Sequence, residues 1–176
     1  MRRYSTTLFK RNLLLACAAV LVVAAVAAGL IAAILMEPRI LDENALPGMP
    51  ENLSEEIGYV SYDGGPVGKV SLACTPEFDG KSAQVLLTNP AENTALLRAE
   101  FYTVKVVYNE ETGEGTFVPD RRIGATGFLR PGTYVENVKL KGLTAGEENR
   151  VMVKISSMNE ETRTSNGFFY IRTTIS

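Results

Sequence analysis

From Leu13 to Met36 the chain runs for 24 residues without a charge, between Lys10-Arg11-Asn12 and Glu37-Pro38-Arg39. As a helix this stretch is roughly 36 Å long, enough to cross a hydrocarbon core of about 30 Å with some tilt. The sequence therefore predicts a single transmembrane helix over 13–36 that contacts membrane lipid. A cleaved secretory signal is the rival reading, since Ala25-Val26-Ala27 has the small residues of a cleavage site. Cleavage there would leave Gly29-Leu30-Ile31-Ala32-Ala33-Ile34-Leu35-Met36 as an exposed apolar end, so retention as a signal anchor is favoured.

Leu14-Leu15-Ala16-Cys17 has the letters of a lipoprotein lipobox, but only Leu13 to Ala16 separate Cys17 from the basic residues, too little to engage as a signal. Cys17 reads instead as a small thiol within the span. Arg2, Arg3, Lys10 and Arg11 precede the span and Arg39 follows it. Positive charge stays on the cytoplasmic side, so residues 1–12 form a basic cytoplasmic tail and the C-terminal part lies outside the cell. Ala25 and Gly29 are spaced for close helix approach, but alanine is too common in this span for the pattern to fix an oligomeric state.

Residues 37–66 carry Glu37, Asp42, Glu43, Glu51, Glu55, Glu56 and Asp63 against Arg39, with prolines at 38, 47, 50 and 66. This composition predicts an acidic, extended linker. Beyond it, residues 67–176 alternate short apolar runs with turn residues, the signature of half-buried strands. Val70, Leu72 and Cys74 share one face, which places Cys74 in the core. Ser82 to Thr88 follows with Ala83, Val85 and Leu87 inward, ending at Asn89-Pro90.

Leu96 to Tyr108 is the longest strand. Its apolar parity shifts from Leu97, Ala99 and Phe101 to Val104, Val106 and Tyr108, which predicts a bulge near Thr103 or an exchange between sheets. Short strands are expected around Thr116–Val118 and Ala125–Leu129, then a Pro131-Gly132 turn and a strand with Tyr134, Val138 and Leu140 on one face. Val151, Val153 and Ile155 mark another strand, and Phe169, Ile171, Thr173 and Ile175 the last. Seven or eight strands in about 110 residues predict an all-β domain, an immunoglobulin-like β-sandwich, although the Cys, Trp, Cys spacing of true immunoglobulin domains is missing.

Val85-Leu86-Leu87-Thr88-Asn89-Pro90, with Gly127-Phe128-Leu129-Arg130-Pro131-Gly132-Thr133-Tyr134-Val135, Leu140 and Leu143-Thr144-Ala145-Gly146, resembles small membrane-anchored or exported β-sandwich proteins of Gram-positive bacteria. The resemblance covers about two-thirds of the outer domain and implies that fold and a cell-surface location. It brings no catalytic residue and no ligand.

Chemistry is sparse. Histidine is absent, which removes the commonest general base near neutral pH and the commonest transition-metal ligand. No nucleophile motif and no phosphate-binding glycine loop occurs, so neither an enzyme nor a cofactor is expected. Beyond the tail the chain carries 14 basic and 20 acidic side chains, a net −6 that gives nucleic acid no basic footprint. Cys17 and Cys74 lie in different compartments, so no internal disulfide is expected.

The carboxylate pairs Glu110-Glu111, Glu147-Glu148 and Glu160-Glu161 raise a carbohydrate-acting enzyme or a calcium-stabilised adhesion domain as alternatives, yet all three pairs read as solvated turn charge. For partner contact the candidates are Arg121 and Arg122, as carboxylate binders, and Tyr102, as aromatic surface; surface ion pairing and a core role are their plainer alternatives. Tyr108 and Tyr134 are expected in core or half-core positions. The functional expectation is a non-enzymatic binding, scaffold or accessory module at the cell envelope, with an envelope protein as partner.

Overall fold

A computed structural model describes residues 40–51 and 58–176; the tail and the span expected over 13–36 lie outside the described residues. The described chain is all-β. Its strands are β1 (Leu46–Pro47), β2 (Tyr59–Asp63), β3 (Lys69–Ala73), β4 (Ser82–Asn89), β5 (Leu96–Tyr108), β6 (Gly115–Ala125), β7 (Thr133–Lys139), β8 (Asn149–Met158) and β9 (Ser165–Ile175). They form two antiparallel sheets, ordered β1-β7-β4-β3-β2 and β6-β5-β8-β9.

Period-2 alternation builds most of the core between them; Val135 and Val138, three apart, both point inward where the β4–β7 register is irregular. Val70 and Leu72, Ala83, Val85 and Leu87, and Val135 and Val138 come from the first sheet; Leu97, Ala99 and Phe101, Val151, Val153 and Ile155, and Ile171 and Ile175 come from the second. These residues are buried almost completely, and at about 25 cal/mol per Å2 of apolar area their burial is the main force joining the sheets. At the C-terminus, Phe78 N–H donates to the Ser176 carbonyl at 2.6 Å and Ser176 N–H to the Pro76 carbonyl at 3.2 Å, tying β9 to the β3–β4 connection.

The parity change expected to mark a bulge in β5 has another origin: β5 pairs with β8 in unbroken register from Leu96 to Thr103, and the two shifts in its pairing with β6, on either side of Tyr102, each place the extra residue on β6. Val104, Val106 and Tyr108 keep the outward parity of Glu100 and Tyr102, and Val106 and Tyr108 are exposed. Past Thr103 the strand pairs only with β6, so Val104–Tyr108 and Gly115–Pro119 extend as a two-stranded arm. A second irregularity, between Gln84 and Leu87, brings Leu86 to φ 47°.

Several expectations are corrected. Cys74 is exposed, because β3 stops at Ala73 and the chain turns toward Pro76; its carbonyl accepts from Thr173 Oγ1 at 2.9 Å. The strand expected around Thr116–Val118 is present but longer, running to Ala125 as β6 through Pro119, Asp120, Arg121 and Arg122, and the separate strand expected at Ala125–Leu129 is not formed. Because β6 lies at a sheet edge, a proline and a charge run cost it little. Phe128 and Leu129 make only isolated bridges, to Leu41 and Leu97.

Tyr108 is 68% exposed on the arm, whereas Tyr134 is buried. The acidic stretch 37–66 also supplies structure, since β1 and β2 are the two edges of the first sheet. Those edges are held mainly by backbone pairing, for which charge and proline content is no barrier.

Candidate partner-binding face

The inward placement of Leu97, Ala99 and Phe101 on β5, and of Val153 and Ile155 on β8, sends Arg98, Glu100, Tyr102, Lys154 and Ser156 to the opposite face. On β9 the same alternation turns Phe168, Tyr170 and Arg172 outward. Strand register aligns these residues in rows: Glu100 opposite Lys154, which faces Tyr170; and Tyr102 opposite Met152, which faces Arg172. With Arg122 of β6 opposite Tyr102, the outer face of the second sheet is assembled from all four of its strands.

Glu100 is the hub of one half of this face. Its Oε1 lies 3.0 Å from Arg122 Nη1 and 3.7 Å from Arg98 Nη2, and its Oε2 lies 3.9 Å from Lys154 Nζ. Tyr102 OH donates to Oε2 at 3.3 Å. Burial, then the charge and hydrogen bond of Glu100, push the Tyr102 phenol above its ordinary pKa, with Arg122 opposing. Lys154 Nζ sits 4.5 Å from the Phe168 ring centroid, and Phe168 meets Tyr170 edge-on at 5.6 Å. Phe168 and Tyr170 are 55% and 42% exposed, large values for aromatic side chains on a sheet face.

The other half of the face is a groove of about 340 Å3 lined by β5, β6, β8 and β9. Arg150 and Arg172 place their guanidinium carbons 5.6 and 6.0 Å from the ring centroid of Phe117. Val104, Thr173 and Thr174 complete the walls. Among the described residues no carboxylate forms an ion pair with either arginine.

Of the three contact residues expected from sequence, Tyr102 and Arg122 are direct cross-strand partners on this face. Arg121 lies apart from them: its guanidinium approaches Gly142, beyond β7. The carboxylate pairs fall in separate connections, with Glu110-Glu111 between β5 and β6, Glu147-Glu148 between β7 and β8, and Glu160-Glu161 between β8 and β9. Glu160 receives Arg130 Nη2 at 2.7 Å. Among the described residues no group of three acidic, cysteine or histidine side chains is close enough to hold a metal ion.

No protein-family model, curated protein or solved structure matches the chain. Function must be argued from the face itself. It gathers Arg98, Arg122, Arg150, Lys154 and Arg172 against Glu100 alone, an excess of four positive charges on a chain that is −6 beyond its tail. Phe117, Arg150 and Arg172 are the members that inspection of single strands misses. Alternation turns the two arginines outward, but they meet Phe117 only through the register of separate strands.

Proposed function

We propose that the protein is a single-pass membrane-anchored module, its immunoglobulin-like β-sandwich held outside the cell as a non-enzymatic scaffold or accessory subunit that binds another envelope protein. The uncharged run 13–36 and the basic residues before it support the anchor and its orientation. The observation that carries the binding role is the outer face of the second sheet, where exposed Phe168 and Tyr170 lie beside arginines and a lysine. Tyrosine, phenylalanine and arginine are the residues enriched where proteins meet.

The test is a photo-crosslinking amino acid placed at Tyr170 or Tyr102 in the full chain, in its own membranes. A defined envelope protein joined at those positions, and absent when the probe replaces Lys81 in the β3–β4 connection, is the expected result. Turnover of an envelope substrate by the purified chain would sink this reading.

A further inference from the structure

Resting on the binding role just argued, we infer that the Phe117–Arg150–Arg172 groove is the anchor point for an acidic polypeptide segment of the partner, taking a glutamate or aspartate side chain. The two halves of the face differ in one respect. Arg98, Arg122 and Lys154 share Glu100, whereas Arg150 and Arg172 form no ion pair among the described residues. Both of the latter lie near the ring of Phe117. A guanidinium stacked on a ring keeps its N–H edge for an oxyanion, and ordering by the ring lowers the entropy lost on binding. A paired arginine site matches the two oxygens of a carboxylate.

The groove walls select among anions. Val104 and Phe117 give an apolar surface beside the charges, suited to the methylene stem of glutamate, and Thr174, on the outward parity of Arg172, adds a hydroxyl group. A volume of about 340 Å3 gives room for a carboxylate side chain. The positive excess lies on a chain whose remaining surface is acidic, so an acidic segment is drawn to this face and repelled elsewhere.

The experiment uses the full chain in detergent micelles, titrated with hexaglutamate and, separately, hexaglutamine and inorganic phosphate, while NMR follows the Thr173 and Thr174 amides. Saturable shifts with hexaglutamate alone are expected, weakened about tenfold by Arg150→Gln or Arg172→Gln and unchanged by Lys81→Gln. Equal affinity of wild type and both arginine variants overturns the inference, as does tighter binding of phosphate, which would assign the groove to phosphorylated ligands. If Tyr170 crosslinks a partner while hexaglutamate leaves both amides unmoved, the acidic anchor fails and the scaffold role stands.

Discussion

Asn93 Nδ2 lies 2.6 Å from Asn89 Oδ1, and this contact closes a chain of hydrogen bonds through the loop that carries β4 over to β5. Asn89 is completely buried and spends its own amide protons on the carbonyls of Ala95, at 3.0 Å, and Leu129, at 2.8 Å. Asn93 in turn brackets Lys69, accepting from its N–H at 3.0 Å and donating to its carbonyl at 2.6 Å. One pair of side chains thus satisfies backbone groups from β3, from the residue preceding β5 and from the segment before β7.

Asn89→Leu would remove the side-chain donor from the Ala95 carbonyl, leave the Leu129 carbonyl with Leu97 N–H alone and take away one acceptor of the Asn93 amide, at a cost of about 1–3 kcal/mol. Asn89→Asp should be at least as damaging, since it replaces the donor amide with a charge in the same place. Asn93→Ala, at the half-buried end of the network, should cost less. Urea denaturation of the three variants checks the order.

Two hairpins use the same turn. Asn109 Oδ1 accepts from Glu111 and Thr112 N–H at 2.8 and 3.2 Å, and Asn159 Oδ1 accepts from Glu161 and Thr162 N–H at 3.0 and 2.9 Å. The fifth residue is left-handed in both, Gly113 at φ 71° and Arg163 at φ 58°. Only the first turn has the residue that this conformation favours. Arg163→Gly is expected to raise stability by about 0.5–1 kcal/mol, and Gly113→Ala to lower it by a similar amount. Opposite shifts in melting temperature are the readout.

How much of this was legible follows from what alternation encodes. It assigns Leu97, Ala99 and Phe101 to the core, because their placement is a property of one strand. The apolar residues Val104, Val106 and Tyr108 mislead it, since they lie on the outward face of β5 and the irregularity sits in β6 opposite them. Cys74 fails the same reasoning because the strand ends one residue before it. Edge strands are also poorly visible: β1, β2 and the charged part of β6 need backbone partners more than apolar side chains, so their composition resembles that of a loop. Tyr102 and Arg122 could be picked out by residue type, but the Phe117 groove depends on three strands in register. The repeated Asn-Glu-Glu-Thr at 109–112 and 159–162 is a sequence signal for two like hairpins.

The segment 40–48 docks through a close approach that leaves no room for a side chain. A Cβ on Gly127 would come within 2.6 Å of both Asp42 Cα and Asp42 N, while Gly127 N–H donates to Asp42 Oδ2 at 2.7 Å. Gly127→Ala should therefore release Ile40–Gly48 from β7 and the Phe128 bridge, lowering stability by about 1–3 kcal/mol. Limited proteolysis should detect new cleavage within 40–50, and Asp42→Ala should give a weaker version of the same pattern. An unchanged digest of Gly127→Ala would contradict this docking.

Three tyrosines set an alkaline limit. Burial is the largest cause raising the pKa of Tyr59, Tyr62 and Tyr102 above the ordinary value. The folded chain thus holds their protons more tightly than the unfolded chain does. Their contribution is intact below the unfolded value of about 10 and is lost as pH rises through the higher folded values. Thermal melts between about pH 9 and 11.5 should show stability falling with pH. Tyr102→Phe should flatten that slope, because a ring without a phenol has no proton to lose.

Glu100 faces Arg98, Arg122 and Lys154, so removing its charge does more than delete one ion pair. Glu100→Gln keeps the shape but leaves three cations around a neutral amide, and the repulsion among them joins the lost attraction. Because Arg122 is largely exposed, water screens part of this, and a loss of about 1 kcal/mol is expected at low ionic strength. Urea unfolding at two salt concentrations should show the deficit shrinking as salt rises. Adding Arg122→Gln to Glu100→Gln should recover part of the loss, since the second change removes a cation that no longer has a partner. Strict additivity of the two substitutions would mean that Glu100 acts through packing and not through charge.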